Sequence, residues 1–411
     1  MKHDVVVTSY GIVSPIGNNA EDFERNLFAG RSGVRGIRGA WVPEDFPVPY
    51  AGWVSLDSLA PSKLYSKDDR PLKSWLMTEQ TVIQAMKDVD PRFPVDAIVY
   101  GTADGVCYEV VESVLRNPHA TDFDDTLVRS ESSLFSVRDT LTNLGFSRVD
   151  DRNMMSINSA CACGNQAIGI AFEGLRSGRW KRVLVGAADA RCEASNLLNF
   201  YLLGALTTAN LPPEKASRPF SADRSGFVRG EGAATLLLES RDAARERGAA
   251  ILGVVSGYGC TSDAYRLTDG REDTASVMEA MRLAIQSAGL DRSQIDYINA
   301  HGTSTPLNDR LETQAIKRLF GDRAWSIPVS SLKSQIGHST IASGTIEAIA
   351  CLMMLKRQML APTMNCDVPD PECDLDYVPN AARPAKVEHI LNNSFGFGGQ
   401  NTCTILSKDA T

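Results

Sequence analysis

No stretch of this 411-residue chain approaches 18 uninterrupted apolar residues, so a transmembrane helix is not expected. The opening residues, MKHDVVVTSYGIVSPIG, offer only a short apolar run broken by polar residues and glycine. They lack a signal-peptide core and a small-residue cleavage site. Basic charge is not in excess: the net charge is -8. That argues against general nucleic-acid binding and leaves room for a local basic patch facing an acidic partner. The nine cysteines are irregularly spaced and too few for a disulfide framework in a chain this long. A reducing, cytoplasmic compartment is the expectation. No low-complexity linker interrupts the sequence.

What is present is an alternation of β-branched runs with longer helical patterns. DVVVTSYG, AIVYGT, RVLVGAADA, AATLLLES and ILGVVSGYG read as strands; TEQTVIQAMKDV and TASVMEAMRLAIQSAG read as helices. The class is α/β. VVTSYG at 6–11 is echoed by VVSGYG at 254–259. Each copy leads through a helical region to a Gly-Thr pair, Gly101-Thr102 and Gly302-Thr303. Each then continues into a strand, a turn and a helix rich in small residues. The chain therefore reads as two related halves, 1–249 and 250–411, divided near ESRDAARERGAA.

SINSACACGNQAIGIAFEGLRSG, residues 156–178, carries two cysteines. MMSIN before them reads as a buried strand, and the run after them as a buried helix. Cys161 then stands at a strand-to-helix junction, where free N–H groups and the helix dipole favour thiolate. Cys163 lies about 200° further around the helix, so the two thiols should not share a face. A redox pair or metal chelate is not expected there.

Of five histidines, His3, His119 and His389 read as surface or packing residues. His301 ends an apolar strand and opens the turn HGTSTPLNDRLE; His338 lies in SSLKSQIGHSTIASG, with Lys333 five residues earlier. Catalytic groups project from strand ends in such sheets. One cysteine, two histidines and a lysine at such junctions form a plausible nucleophilic constellation. A thioester on the cysteine and an enolate stabilised by two imidazoles is chemistry these side chains suit. NNSFGFGGQNT at 392–402 alternates glycine with Phe395 and Phe397, and its N–H groups could complete an oxyanion hole.

Together these motifs resemble the chain-elongating β-ketoacyl-[acyl carrier protein] synthases of fatty-acid and polyketide systems. The resemblance runs from VVVTSYGIVSPIGN to NSFGFGGQN and includes SRPFSADRSGFVRGEGAATLLLE and TSDAYRLT. It implies a thiolase-like duplicated fold with five α-β-α-β-α layers. Cys161 matches the acyl-carrying nucleophile; His301 and His338 match the pair assisting malonyl decarboxylation. Lys333 matches the supporting lysine, and Glu347 its acidic partner. The N–H groups of Cys161 and Phe397 match the oxyanion hole, and Phe397 also the gate. Thr303 and Thr305 match hydroxyls on the phosphopantetheine arm, Thr268 less closely. Phe200 matches an acyl-pocket aromatic, while Asp309 and Glu312 match structural acids. The reaction implied needs no metal or redox cofactor. The partners implied are acyl carrier protein and a second subunit, either an identical copy or a chain-length partner. Lys67 and Arg70 match carrier-docking positions, and Lys73 adds a third basic residue to SKDDRPLKSW.

The sequence departs from the family pattern in places. Ala162 and Cys163 follow the nucleophile where hydroxyl residues are usual, ahead of the usual glycine, Gly164, and STIAS follows His338 where apolar residues are usual. The region from Thr102 to Thr140 is unusually polar, with Asp104, Arg129 and Glu131, and RLTDG replaces a commoner Ser-Pro continuation. These point to a specialised polyketide or polyene synthase rather than one for ordinary saturated chains. A coenzyme A-dependent thiolase would use a late cysteine, for which Cys403 is the candidate, although its surroundings read as a strand. A chain-length partner subunit would lose the nucleophile, and an acyltransferase would use Cys161 without decarboxylation.

Overall fold

The computed structural model describes residues 3–64, 73–102 and 133–409. Ten strands form one hydrogen-bonded sheet. In chain order they are β1 Val5–Val13, β2 Ala97–Gly101, β3 Met154–Ile157, β4 Arg182–Asp189 and β5 Gly232–Ser240, then β6 Gly253–Ser262, β7 Tyr297–Asn299, β8 Val329–Ser330, β9 His389–Gly396 and β10 Gln400–Ser407. Their spatial order is β8-β7-β9-β10-β6-β1-β5-β4-β2-β3. Outward from the centre, each half therefore repeats one order: β1-β5-β4-β2-β3 and β6-β10-β9-β7-β8. The directions repeat too. The first two pairings of each half are antiparallel and the last two parallel. The echo VVTSYG/VVSGYG falls on β1 and β6, which join the halves where Val5–Val7 pair with Val255–Gly253.

Six helices layer this sheet: α1 Lys73–Met86, α2 Ser133–Asn143, α3 Cys163–Arg176, α4 Ala275–Ser287, α5 Pro306–Phe320 and α6 Ser343–Arg357. Both α3 and α6 pack on strands of both halves, α1 and α2 cover one outer face, and α4 and α5 cover the other. This is the five-layered α-β-α-β-α arrangement, with α3 and α6 as the middle layer. Composition explains their place. From Ser343 to Leu355 every residue of α6 is buried, and in α3 only Glu173 is exposed, with Gln166, Ile170 and Arg176 half-buried. A helix apolar on all sides must be covered on all sides. β4 and β5 are likewise buried throughout, as strands between two helical layers should be. None of the helices described is long and apolar enough to cross a membrane.

One expectation needs correction. MMSIN does not form a buried strand: Met154, Met155 and Ile157 are half-buried and Ser156 is exposed. Among the described residues β3 pairs only with β2, and an edge strand cannot be covered as a central one is.

Where the middle helices cross, Gly164 meets Gly344. A Cβ on Gly164 would stand 2.6 Å from the Thr345 nitrogen, and one on Gly344 2.5 Å from the Asn165 nitrogen. Only backbone fits on either side. Gly164→Ala is expected to destabilise the fold by about 2 kcal/mol through overpacking, read as a lowered urea midpoint at unchanged slope; an unchanged midpoint would show that the helices can move apart freely.

Candidate active site

Each middle helix is entered through a tight turn. Residues Ala160–Ala162 connect β3 to α3, and Thr340–Ala342 lead into α6. Ala160 at φ 49° and Thr340 at φ 30° both take a left-handed conformation that L side chains resist. Such strain holds only where the surroundings over-determine the turn. The first turn presents Cys161 to a cleft of about 290 Å³. The cleft also takes in His301, His338, Thr303, Thr305, Thr268 and Phe397. These residues, with Glu312 and Phe395, thus come together from both halves.

The imidazoles of His301 and His338 lie edge to face, ring centroids 5.2 Å apart at 82°. Phe395 packs on His301 at 5.6 Å and Phe227 on His338 at 5.2 Å. His338 shares a 3.0 Å hydrogen bond between Nδ1 and Ser343 Oγ, while His301 Nδ1 has no protein partner among the described residues. Glu312 holds the His301 turn, accepting from the N–H of His301 at 2.9 Å and of Gly302 at 2.8 Å. Asp309 accepts from the N–H of Ser304 at 3.1 Å and of Phe220 at 2.8 Å. Thr303 and Thr305 join hydroxyl to hydroxyl at 2.8 Å beside them.

The glycine-rich loop closes over the cysteine. Its Phe397 lines the cleft with Cys161, and the Phe397 N–H lies close enough to the sulfur to favour its anion. A Cβ on Gly396 would sit 2.7 Å from the Ser159 carbonyl oxygen and 3.2 Å from the Cys161 nitrogen. Glycine is therefore needed for the loop to lie this close. Cys163 turns away, as its spacing predicts: its sulfur accepts from the Ser159 N–H at 2.9 Å within the apolar core. Cys403 is buried in β10 among apolar residues and does not line the cleft.

Other candidates fall elsewhere. Lys333 is buried beneath the cleft and ion-paired to Glu347, which is also buried. Phe200 does not line the cleft; it packs behind, 6.4 Å from Phe397 and 5.5 Å from Phe227. Lys73 is not a docking cation. It turns inward to pair with Glu231 and sits 5.1 Å over Trp53, because α1 presents it to the interior. Lys67, Arg70, Asp104, Arg129, Glu131 and His119 lie outside the described residues. His389 shares a hydrogen bond with Ser407 at 2.8 Å, a packing role.

Two features went unread in the sequence. The segment from Ser217 to Gly230, within SRPFSADRSGFVRGEG, straps both histidine turns: Arg218 N–H donates to Ser304 Oγ at 2.9 Å, and His338 N–H donates to the Val228 carbonyl at 2.7 Å. Within it, Arg229 is wholly buried and pairs with Asp189 at 2.6 Å. A lone arginine in an apolar, glycine-bounded run was the available signal.

Burial sets the protonation states. It pushes the Cys161 thiol up to about 12, against the pull of Arg229, Lys333 and the Phe397 N–H. The expected preference for thiolate is thus corrected: desolvation outweighs the charges facing the sulfur. Burial also drives His301 and His338 well below the ordinary imidazole value, with Lys333 adding to both. Glu347 is raised to about 7 by burial, opposed by Lys333. Burial thus favours the neutral form of the thiol and of both imidazoles.

A thiolase-like fold that gathers a buried cysteine and two neutral histidines under a glycine-rich loop defines a class, the thioester-forming carbon–carbon condensing enzymes. The chain belongs to the β-ketoacyl synthase family. The N-terminal domain of beta-ketoacyl synthase matches residues 153–244 and the C-terminal domain residues 252–367. The 3-oxoacyl-[acyl-carrier-protein] synthase 2 of Synechocystis is 37% identical over 99% of this chain and 98% of its own. The ishigamide ketosynthase/chain length factor superposes with TM-score 0.88 at 32% identity, over the full length of both chains. A type II PKS ketosynthase, solved with its acyl-carrier protein and bound to the hexaketide, superposes with TM-score 0.87 at 31% identity, again over both full lengths.

Neutral burial of the imidazoles has a consequence for stability. An unfolded chain protonates each histidine as pH falls through about 6.5, whereas the folded chain does so only well below. Stability supplied by these groups is present above that pH and is lost below it. Urea unfolding at pH 7.5 and 5.5 should show a smaller acid-induced loss in His338→Gln than in the parent; equal losses would contradict neutral burial.

Proposed function

We propose that this chain performs decarboxylative Claisen condensation, joining an acyl group carried on Cys161 to a malonyl unit presented by acyl carrier protein. The observation that carries this reading is the convergence of Cys161, His301 and His338 on one cleft whose rim holds Thr303, Thr305 and Thr268. An acyl group first passes from the carrier's phosphopantetheine sulfur to the Cys161 sulfur. The Cys161 proton leaves through a neutral imidazole to the departing thiol. Malonyl-carrier then loses CO2, and the electron pair of the broken bond forms an enolate. Two neutral imidazoles can donate hydrogen bonds to that oxygen without a competing charge. The enolate carbon attacks the thioester, whose oxyanion is met by the N–H groups of Cys161 and Phe397. The C–S bond breaks, the Cys161 thiolate takes up one proton from solvent to restore the thiol, and a β-ketoacyl-carrier leaves. No electrons are gained or lost overall, so the proposal requires no redox cofactor and assigns no step to a metal.

Roles follow for the remaining residues. Phe397 gates the cysteine, and Phe200 supports the gate from behind. Thr303, Thr305 and Thr268 meet the phosphopantetheine arm. Lys333 and Glu347 set the field beneath the histidines. Lys67 and Arg70 are proposed to dock the acidic carrier. The halves 1–249 and 250–411 supply the nucleophile and the two histidines respectively. A homodimer, or a heterodimer with a chain-length partner, would cover the half-exposed β3 edge. The eight described cysteines are all free, which supports a reducing cytoplasm. The polar STIAS segment and the polyketide synthase neighbours favour a specialised polyketide or polyene pathway.

The rivals predict different chemistry. A thiolase needs a second cysteine at the cleft, and Cys403 is not there. An acyltransferase would yield no β-keto product, and a chain-length subunit would keep no nucleophile. Incubation with acyl-carrier and malonyl-carrier, followed by digestion and mass spectrometry, tests the proposal. The acyl adduct is expected on Cys161, and Cys161→Ala should lower condensation at least about 1,000-fold. An adduct on Cys163, or undiminished product from Cys161→Ala, would sink it. Faster elongation of polyunsaturated or polyketide chains than of long saturated ones is expected; the reverse order would remove the specialised pathway and leave the chemistry.

A further inference from the structure

Arg229 has the largest fully buried side chain among the described residues. It lies just before β5, on the strap from the first half. Its Nη2 donates to Asp189 Oδ1 at 2.6 Å, its Nη1 to the carbonyls of Gly230 at 2.8 Å and His338 at 3.0 Å, and its Nε to Asn196 Oδ1 at 3.3 Å. Its guanidinium carbon stands 5.6 Å over the Phe200 ring. Four of five N–H donors are thus committed to protein groups. Arg229 is therefore not placed to bind a substrate carboxylate.

Its partner reaches the other half. Asp189 also accepts from the Thr340 hydroxyl and, at 3.4 Å, from the Ile341 N–H. Those residues form the strained turn into α6. The main chain of His338 is thus bracketed. Its N–H meets Val228, and its carbonyl meets the Gly230 N–H at 2.9 Å together with Arg229. The polar residues of STIAS are the second half's share of this arrangement: Thr340 binds Asp189, and Ser343 binds the His338 ring.

We propose that Arg229 is a positioning residue of the condensing centre, fixing His338 through its carbonyl and through the Asp189–Thr340 tie while keeping a positive charge on the His338 turn that shares its cleft with Cys161. Burial holds the Cys161 thiol up, and Arg229 and Lys333 act against it. Asp189, Arg191 and Glu193 surround the arginine itself. Although burial opposes ionisation, Arg191 and Arg229 hold Asp189 well below the usual carboxylate range.

The proposal rests on the condensing roles given to Cys161 and His338, but alkylation of Cys161 by iodoacetamide reads the thiolate without turnover. Arg229→Gln combined with Asp189→Asn removes both buried charges, leaving neither of that pair stranded. It is expected to slow Cys161 alkylation at pH 8 about tenfold, the equivalent of one pH unit, and to lower kcat more than it raises KM. Arg229→Lys keeps the charge and should stay within about threefold of the parent. An unchanged alkylation profile in the folded double variant, or a tenfold loss in Arg229→Lys, overturns the charge. Thr340→Val covers the case in which the double variant does not fold. It cuts the tie and leaves every charge, so kcat should fall about tenfold with alkylation unchanged; an unchanged kcat overturns the positioning. If neither parent nor variant condenses malonyl-carrier, the functional reading fails while alkylation still decides the charge.

Discussion

Where α3 and α6 cross, the chain allows no side chain on either helix. The contact between Gly164 and Gly344 brings two backbones together in the middle of five layers. Both helices begin there, and each is entered by a turn with a residue at positive φ. The crossing therefore fixes how far apart the two turns can stand, and one of them carries Cys161. The other follows directly from His338. Gly344 is further hemmed by the Ser394 hydroxyl, 3.1 Å from where its Cβ would be, so the strand leading to the glycine-rich loop meets the same point. Catalytic geometry here descends from close packing of small residues, and the reactive groups inherit positions that neither half could set alone.

Burial is the second organising effect, and it acts against the chemistry as often as for it. Water is kept from Cys161, His301, His338, Lys333 and Glu347 alike. For the imidazoles this suits the proposed condensation, in which a neutral ring donates to an enolate oxygen. For the thiol it hinders, because the anion loses its solvent. The surroundings answer with the N–H of Phe397 and two buried cations, all of which favour the anion. Lys333 is itself paired with Glu347, and Arg229 with Asp189, so the charge each delivers is tempered by a partner one layer further back.

Much of this was legible in the sequence, for identifiable reasons. Continuous apolar runs revealed β4, β5 and the middle helices, and the echo VVTSYG/VVSGYG marked the pair of strands at which the halves join. The strand-end positions of Cys161, His301 and His338 were readable because turns in α/β sheets aim side chains at one rim. The edge character of β3 was not, since MMSI is apolar enough for a central strand and exposure depends on neighbours. The inward turn of Lys73 was hidden for a similar reason: a basic run looks solvated until Glu231 is seen opposite it. Arg229 was missed because its partners lie 40 and 109 residues away.

Those long-range partners bear on what a half of this molecule is. By topology the halves repeat, strand for strand. By packing they do not stand apart, because α3 and α6 are each buried on strands of both. Separating them would expose two helices with almost no polar face, at about 25 cal/mol for each Å² uncovered. The strap makes the dependence mutual. Val228, Arg229 and Gly230 come from the first half and hold His338 of the second, while Thr340 of the second closes on Asp189 of the first. The two halves repeat one strand order yet carry different residues to the cleft, Cys161 from the first and His301 and His338 from the second. Their seam is where the polar, strained and tightly packed residues have gathered, and a change at that seam is felt by both catalytic turns together.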